Sequence, residues 1–147
     1  MQIAYNRFQK WNLLFFEKAT LKSVGLRVQL GHPATERCSL PQRAFNDDFV
    51  VIDSGGVHEI GLDFCGCEKS IPKTIQLLRH RLFPATVVDP KSAATFGVLE
   101  SFQLLTFTSK VSGYEFYRAL ARRTDNTGVD PPPVREYYIE GTEPKTH

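Results

Sequence analysis

The sequence contains too few cysteines for a protein held together by disulfides. It has three in 147 residues, an odd number that cannot pair completely and that argues against a secreted disulfide scaffold. A chain of this length buries roughly 68–70% of its unfolded surface, so it can form a core without such cross-links. We therefore expect a single globular domain in a reducing, intracellular compartment.

Long apolar runs and a strong charge imbalance are also missing. No apolar stretch approaches the ~20 residues that a transmembrane helix needs, and the N-terminal residues do not have the pattern of a signal peptide. The formal net charge is only +2, so any contact with phosphates has to come from a local basic patch. The composition thus argues against a membrane protein and leaves nucleic-acid binding open.

The motifs of common enzymes are absent as well. No serine lies in a nucleophile elbow, and Gly55-Gly56 is not followed by the Lys-Ser/Thr of a phosphate-binding loop. Asp53, at a strand end before a glycine turn, faintly resembles the opening hairpin of an RNase H-like nuclease, but such enzymes need several converging carboxylates. We predict no enzyme and no small-molecule substrate, and we keep a nuclease remnant as a third hypothesis. The other candidate carboxylates are Asp47, Asp48, Asp63, Asp89 and Asp125.

What the chain does contain is four metal-ligand residues at suggestive spacing. His32 and Cys38 form a His-x5-Cys pair, Cys65 and Cys67 form a Cys-x-Cys pair, and 26 residues separate the two pairs. Three thiolates and one imidazole complete the tetrahedral shell of a closed, structural zinc site. The alternative is that they are ordinary residues at a strand end and in a turn. We predict one structural Zn2+, worth about 10 kcal/mol of folding energy by comparison with zinc-finger peptides.

Hydrophobic patterning places the two pairs on either side of a β-hairpin. Alternating residues predict a strand over 26–30, and two further strands over 49–53 and 57–64 flank a glycine turn. A helix over 70–81, with Ser70 as its N-cap, follows the second pair. The order of ligand pair, hairpin, ligand pair and helix is that of a treble-clef zinc finger. We therefore predict an α+β fold with a treble-clef-like core.

Three more helices are predicted around this core. Helical spacing of aromatic residues predicts an N-terminal helix over 5–18. Its apolar stripe is expected to face the core and consists of Phe8, Trp11, Phe15 and Phe16. Two C-terminal helices are predicted from about Ser92 to Phe107 and, capped by Ser109, to Arg123. Residues 33–48 and 83–90 are predicted to be loops.

Basic residues concentrate near the end of the helix over 70–81 and along the last two helices. Such a patch can contact the phosphates of a nucleic acid, and a solvated protein surface is the alternative. The candidate nucleic-acid-binding residues are Arg79, Arg81, Lys110, Arg118, Arg122 and Arg123.

Five segments, in this order, resemble a known family. They are WNLLFFEKATLKSVGLRVQLGH, ERCSLPQRAFNDDFVVIDSGGVHEIGLDFCGC, TIQLLRHRLFPAT, DPKSAATFGVLESF and YEFYRALARRTDNTG. Over most of its length the chain resembles the CxC-type cysteine cluster domain associated with KDZ (Kyakuja-Dileera-Zisupton) transposases in fungi. The resemblance implies a zinc-chelating domain, and it assigns the metal role to the same two ligand pairs.

The resemblance also sets the expected boundaries and function. It implies a domain over residues 1–128, shortened at its N-terminus relative to the family, and a Pro-rich tail or linker over 129–147. The family's further upstream Cys and His, and the catalytic region expected downstream, are not in this sequence, so we assign no transposase activity. We predict a nuclear, non-catalytic accessory module that targets a KDZ transposase to DNA or chromatin. The alternative is a protein–protein interaction module that docks on the transposase catalytic domain or another partner.

Overall fold

The computed structural model describes residues 8–125, and this part of the chain has an α+β fold with eight strands and three helices. The strands are β1 (Phe8–Trp11), β2 (Phe16–Ala19), β3 (Arg27–Gln29), β4 (Pro41–Arg43), β5 (Phe49–Asp53), β6 (Gly56–Cys65), β7 (Leu82–Pro84) and β8 (Ser92–Thr95). The helices are α1 (Lys73–Arg79), α2 (Phe96–Ser109) and α3 (Gly113–Thr124). None of these helices is both long enough and apolar enough to cross a bilayer.

Strand β6 is the centre of a six-stranded mixed sheet because it pairs along both of its edges. Its first half runs antiparallel to β5, with Phe49 opposite Ile60. Its second half pairs in parallel with β3 and antiparallel with β4, so that Asp63 lies opposite both Gln29 and Arg43. Because a residue in a sheet has one neighbour on each side, β3 and β4 occupy opposite edges of β6. Strands β8 and β7 extend the sheet beyond β5.

The directions of these strands bring the predicted ligand segments together. Strand β3 is parallel to β6, so the residues that follow β3 lie beside the residues that follow β6. Strand β4 is antiparallel to β6, so the residues that precede β4 come to the same end. The segment 31–40 and the segment 65–67 therefore meet at one end of the sheet.

Each face of the sheet carries its own apolar cluster, because side chains alternate along a strand. The larger cluster packs against α1 and contains Leu30, Ala44, Phe49, Val51, Ile60, Leu62, Phe64, Leu77, Leu82 and Ala93. The smaller cluster lies under α2 and α3 and contains Val50, Val57, Val98 and Leu120. Helix α1 and the α2–α3 pair thus cover opposite faces.

Helix α3 is fastened to the turn between β5 and β6. The backbone N–H of Val57 donates to Thr124 Oγ1 over 2.6 Å. A Cβ atom on Gly56 would lie only 2.3 Å from that oxygen, and the φ of Gly56 is +140°. A glycine is required here because both the backbone conformation and the close approach of α3 exclude a side chain.

The predicted N-terminal helix is wrong, because β1 and β2 form a separate antiparallel hairpin. The side chain of Asn12 accepts backbone N–H groups from the second and third residues after it, over 3.1 and 3.0 Å. Leu13 has a φ of +79°, so local turn chemistry prevails over helical spacing. The aromatic stripe is not core, since Trp11, Phe15 and Phe16 are more than half exposed. The predicted first turn, before residue 8, lies outside the described residues.

Tertiary pairing also makes strands of three segments that the sequence predicts to be loop or helix. Ser92–Thr95 is β8 rather than helix, because it pairs in parallel with β5 and buries Ser92 and Ala93. Strand β7 lies at the start of the predicted connector, and β4 lies within the predicted loop 33–48. These short sequences have weak local signals and take their conformation from neighbouring strands. The two predicted C-terminal helices are present as α2 and α3.

Two predicted helix caps are wrong. Pro72, not Ser70, occupies the N-cap of α1. Ser112, not Ser109, caps α3, and Glu115 completes a capping box with it. The backbone N–H of Ser112 donates to the Glu115 carboxylate and lowers its pKa.

Candidate metal centre

The four predicted ligands converge on one point. Their donor atoms all lie within 4.8 Å of one another. His32 Nε2 is 3.2 Å from Cys65 Sγ and 3.7 Å from Cys67 Sγ, and the sulfurs of Cys38 and Cys67 are 3.5 Å apart. A tetrahedral ion with Zn–S bonds of about 2.3 Å holds its sulfur ligands about 3.8 Å apart. The cluster can therefore hold a metal ion.

Gly31 turns the chain from the end of β3 to His32 directly over Cys65. Its φ is +83°, and a Cβ atom there would lie 2.4 Å from Cys65 Cβ. The preceding residue, Leu30, is held to β6 by its N–H, which donates to the carbonyl oxygen of Asp63 over 2.8 Å. A left-handed residue without a side chain is what allows the imidazole to reach the thiols.

The side chain of Gln29 folds the next loop back so that Cys38 faces the other ligands. Its Nε2 donates to the carbonyl oxygen of Glu36, and its Oε1 accepts the backbone N–H of Cys38, both over 2.9 Å. The backbone N–H of Gly66 then donates to the carbonyl oxygen of Leu40 over 2.9 Å. These hydrogen bonds join the loop that carries Cys38 to the segment that carries Cys65 and Cys67.

A buried amide supports the Cys65 backbone from the other side. Gln76 of α1 is 1% exposed, and its Oε1 accepts the backbone N–H of Cys65 over 2.8 Å. Its Nε2 donates to the carbonyl oxygens of Cys65 and Ile71 over 3.1 and 2.7 Å. Sequence reasoning missed Gln76, since a single glutamine on a short helix has no distinguishing pattern.

The thiols differ in their affinity for protons. Side-chain hydrogen bonds lower the pKa of Cys67 to about 6. The bond with the Ser39 hydroxyl has the largest effect, and those with His32 and the other two thiols add to it. A hydrogen bond from the Cys67 backbone acts to lower the pKa of Cys65, but burial and the neighbouring thiols outweigh it and raise that pKa. Cys67 is therefore the thiol of this pair that loses its proton more readily. Three adjacent thiolates repel one another, so the fully ionised set is favoured by a cation in their midst.

The surroundings complement such a centre. Glu36 Oε2 lies 3.9 Å from His32 Nδ1, which is too long for a hydrogen bond but brings a negative charge to the side of the ring away from the sulfurs. Lys69 and Arg79 line the cleft beside the cluster. A divalent cation with three thiolates and a neutral imidazole has one net negative charge, which two nearby cations stabilise.

The predicted nucleic-acid-binding residues lie in two parts of the fold. Arg79 and Arg81 lie at the end of α1, where the Arg81 guanidinium is 5.9 Å from the centroid of the Phe96 ring. The other four lie across the sheet, on α2 and α3 or at their ends: Lys110, Arg118, Arg122 and Arg123. Only this second group is clustered on neighbouring helices.

The candidate carboxylates of the nuclease hypothesis are engaged separately. Asp47 and Asp63 both bind Arg27, which lowers the pKa of Asp47. Asp53 accepts a hydrogen bond from the Thr95 hydroxyl over 2.9 Å. Within residues 8–125, the His–Cys cluster is the group of side chains found to be arranged for a metal ion. The described residues thus give the nuclease hypothesis no support.

The fold and the cluster define an α+β domain in which one histidine and three cysteines can bind a metal. The family of CxC2-like cysteine clusters associated with KDZ transposases matches residues 21–128, a segment that includes all four ligands. The chain therefore belongs to this family, and the resemblance drawn from the sequence is confirmed. Comparisons with curated proteins and with solved structures found no match.

Replacing Gly31 by alanine tests the close approach over Cys65, and Gly25 is its matched control. Both glycines have φ near +82°, but no described atom lies within 4 Å of a Cβ on Gly25. Both variants incur the left-handed strain of about 1–2 kcal/mol. We expect Gly31→Ala to lose a further ~1–3 kcal/mol by overpacking against Cys65. Denaturant unfolding measures the two losses, and equal losses would contradict the proposed crowding.

Proposed function

We propose that the chain is a zinc-stabilised, non-catalytic accessory module of a KDZ-type transposase. The convergence of His32, Cys38, Cys65 and Cys67 carries this proposal, and membership of the CxC2-like family supports it. Four protein ligands fill a tetrahedral shell and leave no open position for a substrate, so the role is structural. In this proposal the β5–β6 hairpin and α1 take the places of the hairpin and the helix of a treble clef.

The donor set favours zinc over other cations. Three thiolates and an imidazole are soft or borderline ligands, which suit Zn2+ and disfavour Mg2+ and Ca2+. The sulfur and nitrogen separations of 3.2–3.7 Å are close to those of a tetrahedral shell. Zinc has no redox chemistry of its own, which fits a purely structural role.

Metal analysis of the purified protein tests the centre. We expect one zinc per chain under reducing conditions, because the four ligands are already assembled. His32→Gln should lose most of the zinc and several kcal/mol of the free energy of unfolding. The control is His80→Gln, because His80 is exposed at the end of α1. Wild-type protein without zinc, or full zinc retention in His32→Gln, would refute the proposal.

The module would act in the nucleus and direct the transposase to DNA or chromatin. The basic residues of α3 favour this role, since Arg118, Arg122 and Arg123 are exposed. The Glu115 carboxylate accepts hydrogen bonds from Ser112 at the start of the helix. Its charge is therefore held about two turns away from the basic last turn of the helix, and that turn would present cations to a phosphate backbone.

Salt-dependent binding to duplex DNA tests this contact. The double variant Arg118→Gln, Arg122→Gln should bind more weakly and reduce the slope of log affinity against log salt by about 0.9 per lost phosphate contact. The matched control is Arg43→Gln, Lys91→Gln, which removes two exposed positive charges elsewhere. Equal weakening in both double variants would show that α3 is not the contact surface.

A second candidate function, docking on the transposase, is favoured by the exposed apolar side of α2. Of the helix residues, all of which the structure describes, only Val98 is buried. Leu104, Leu105 and Phe107 are exposed, and Tyr114 of α3 lies exposed as well. Exposed apolar clusters of this kind mark protein interaction sites. Lys110 and Arg118 adjoin this cluster, so we propose an acidic amphipathic segment of the transposase as its partner.

Calorimetric titration with the catalytic region of a KDZ transposase distinguishes this second function. Phe107→Asp should weaken binding at least ten-fold, because it removes an apolar anchor and adds repulsion toward an acidic partner. Val88→Asp is the control, since Val88 is 92% exposed and lies in the loop between β7 and β8, outside α2. Unchanged affinity in Phe107→Asp, or an equal loss in Val88→Asp, would rule out this docking surface.

A further inference from the structure

The side chain of Gln76 occupies the place of a missing strand residue beside Cys65. The carbonyl oxygen of Asp63 accepts a hydrogen bond from Leu30, just past the end of β3. Backbone groups two residues apart point to the same edge of a strand, so the N–H and C=O of Cys65 also point toward the β3 side. There the chain has turned away at Gly31, whose φ is +83°.

Both of these backbone groups are satisfied by the one amide. Cys65 N–H donates to Gln76 Oε1 over 2.8 Å, and Gln76 Nε2 donates to the Cys65 carbonyl oxygen over 3.1 Å. This two-point pattern is that of a hydrogen-bonded pair in an antiparallel ladder, in which one residue bonds both backbone groups of its neighbour. A buried backbone group without a partner is costly, so the amide replaces the ladder that β3 no longer provides.

The same amide joins the other segments of the cluster. Its Nε2 also donates to the carbonyl oxygen of Ile71 over 2.7 Å, which holds the segment between Cys67 and α1. A Cβ on Gly31 would lie 3.2 Å from Gln76 Oε1, so the turn that leads to His32 passes against it. Gln76 thus holds the backbone of Cys65 and the segment that follows Cys67. It also lies against the turn that leads to His32.

We propose that Gln76 is a positioning residue that presets Cys65 for the metal and couples metal binding to the docking of α1. The inference rests on the proposed metal function. Gln76 would not touch the metal. Its side chain holds the backbone of Cys65, not the thiol. Loss of such outer-shell support typically weakens metal affinity 10–100-fold.

The test compares two substitutions of Gln76 with a control that destabilises the fold elsewhere. Gln76→Met keeps the side-chain length and removes all three hydrogen bonds, whereas Gln76→Glu keeps an acceptor for Cys65 N–H. Val98→Ala is the control, because Val98 is 2% exposed in the cluster on the opposite face. Each protein is loaded with Zn2+, and its release to a chromophoric chelator is timed. Each is also loaded with Co2+ to record the visible bands of the tetrahedral thiolate site.

We expect Gln76→Met to release zinc 10–100-fold faster and to shift the cobalt bands, with Gln76→Glu intermediate. Val98→Ala should lose stability and leave both readouts unchanged. If wild-type protein binds zinc but Gln76→Met releases it no faster than Val98→Ala, the positioning role is overturned and the metal function stands. If wild-type protein binds neither ion, the metal function fails and the positioning role fails with it.

Discussion

The pairing of β6 along both edges is the constraint on which the rest of this structure depends. Asp63 lies between β3 and β4, and the opposite directions of these two strands bring the end of one and the start of the other to Cys65. Backbone hydrogen bonds between strands therefore bring the ligand segments together without the help of an ion. The two ligand pairs are separated by 26 residues in the sequence, and the sheet closes that distance.

Energetic magnitudes explain why the proposed metal would matter to the whole domain. A structural zinc is worth about 10 kcal/mol, while a domain of this size has a net stability of about 5–15 kcal/mol. In the loop that carries Cys38, buried apolar side chains could not replace the free energy of zinc binding, since residues 33–37 are exposed. The ion would therefore stabilise the end of the sheet beside α1, in addition to the apolar cluster under that helix.

Part of this arrangement was predictable from the sequence because the signals are local. The two ligand pairs, the hairpin between them and the helices near the C-terminus follow from spacing and alternation. The N-terminal hairpin was not predictable, because Trp11 and Phe16 fit helical spacing and only the Asn12 turn decides against it. The role of Gln76 was equally hidden, since it depends on where β3 ends relative to Cys65 in three dimensions.

Different parts of the fold hold the candidate metal centre and the proposed recognition surface. Helix α1 lines the cleft beside the metal cluster, whereas α2 and α3, which carry the exposed apolar and basic residues, pack on the face of the sheet opposite α1. Helix α3 reaches the sheet through Thr124 at the β5–β6 turn, far along β6 from Cys65. Such a layout would let the proposed recognition surface vary without disturbing the ligands, because α3 meets the sheet at the end of β6 away from Cys65.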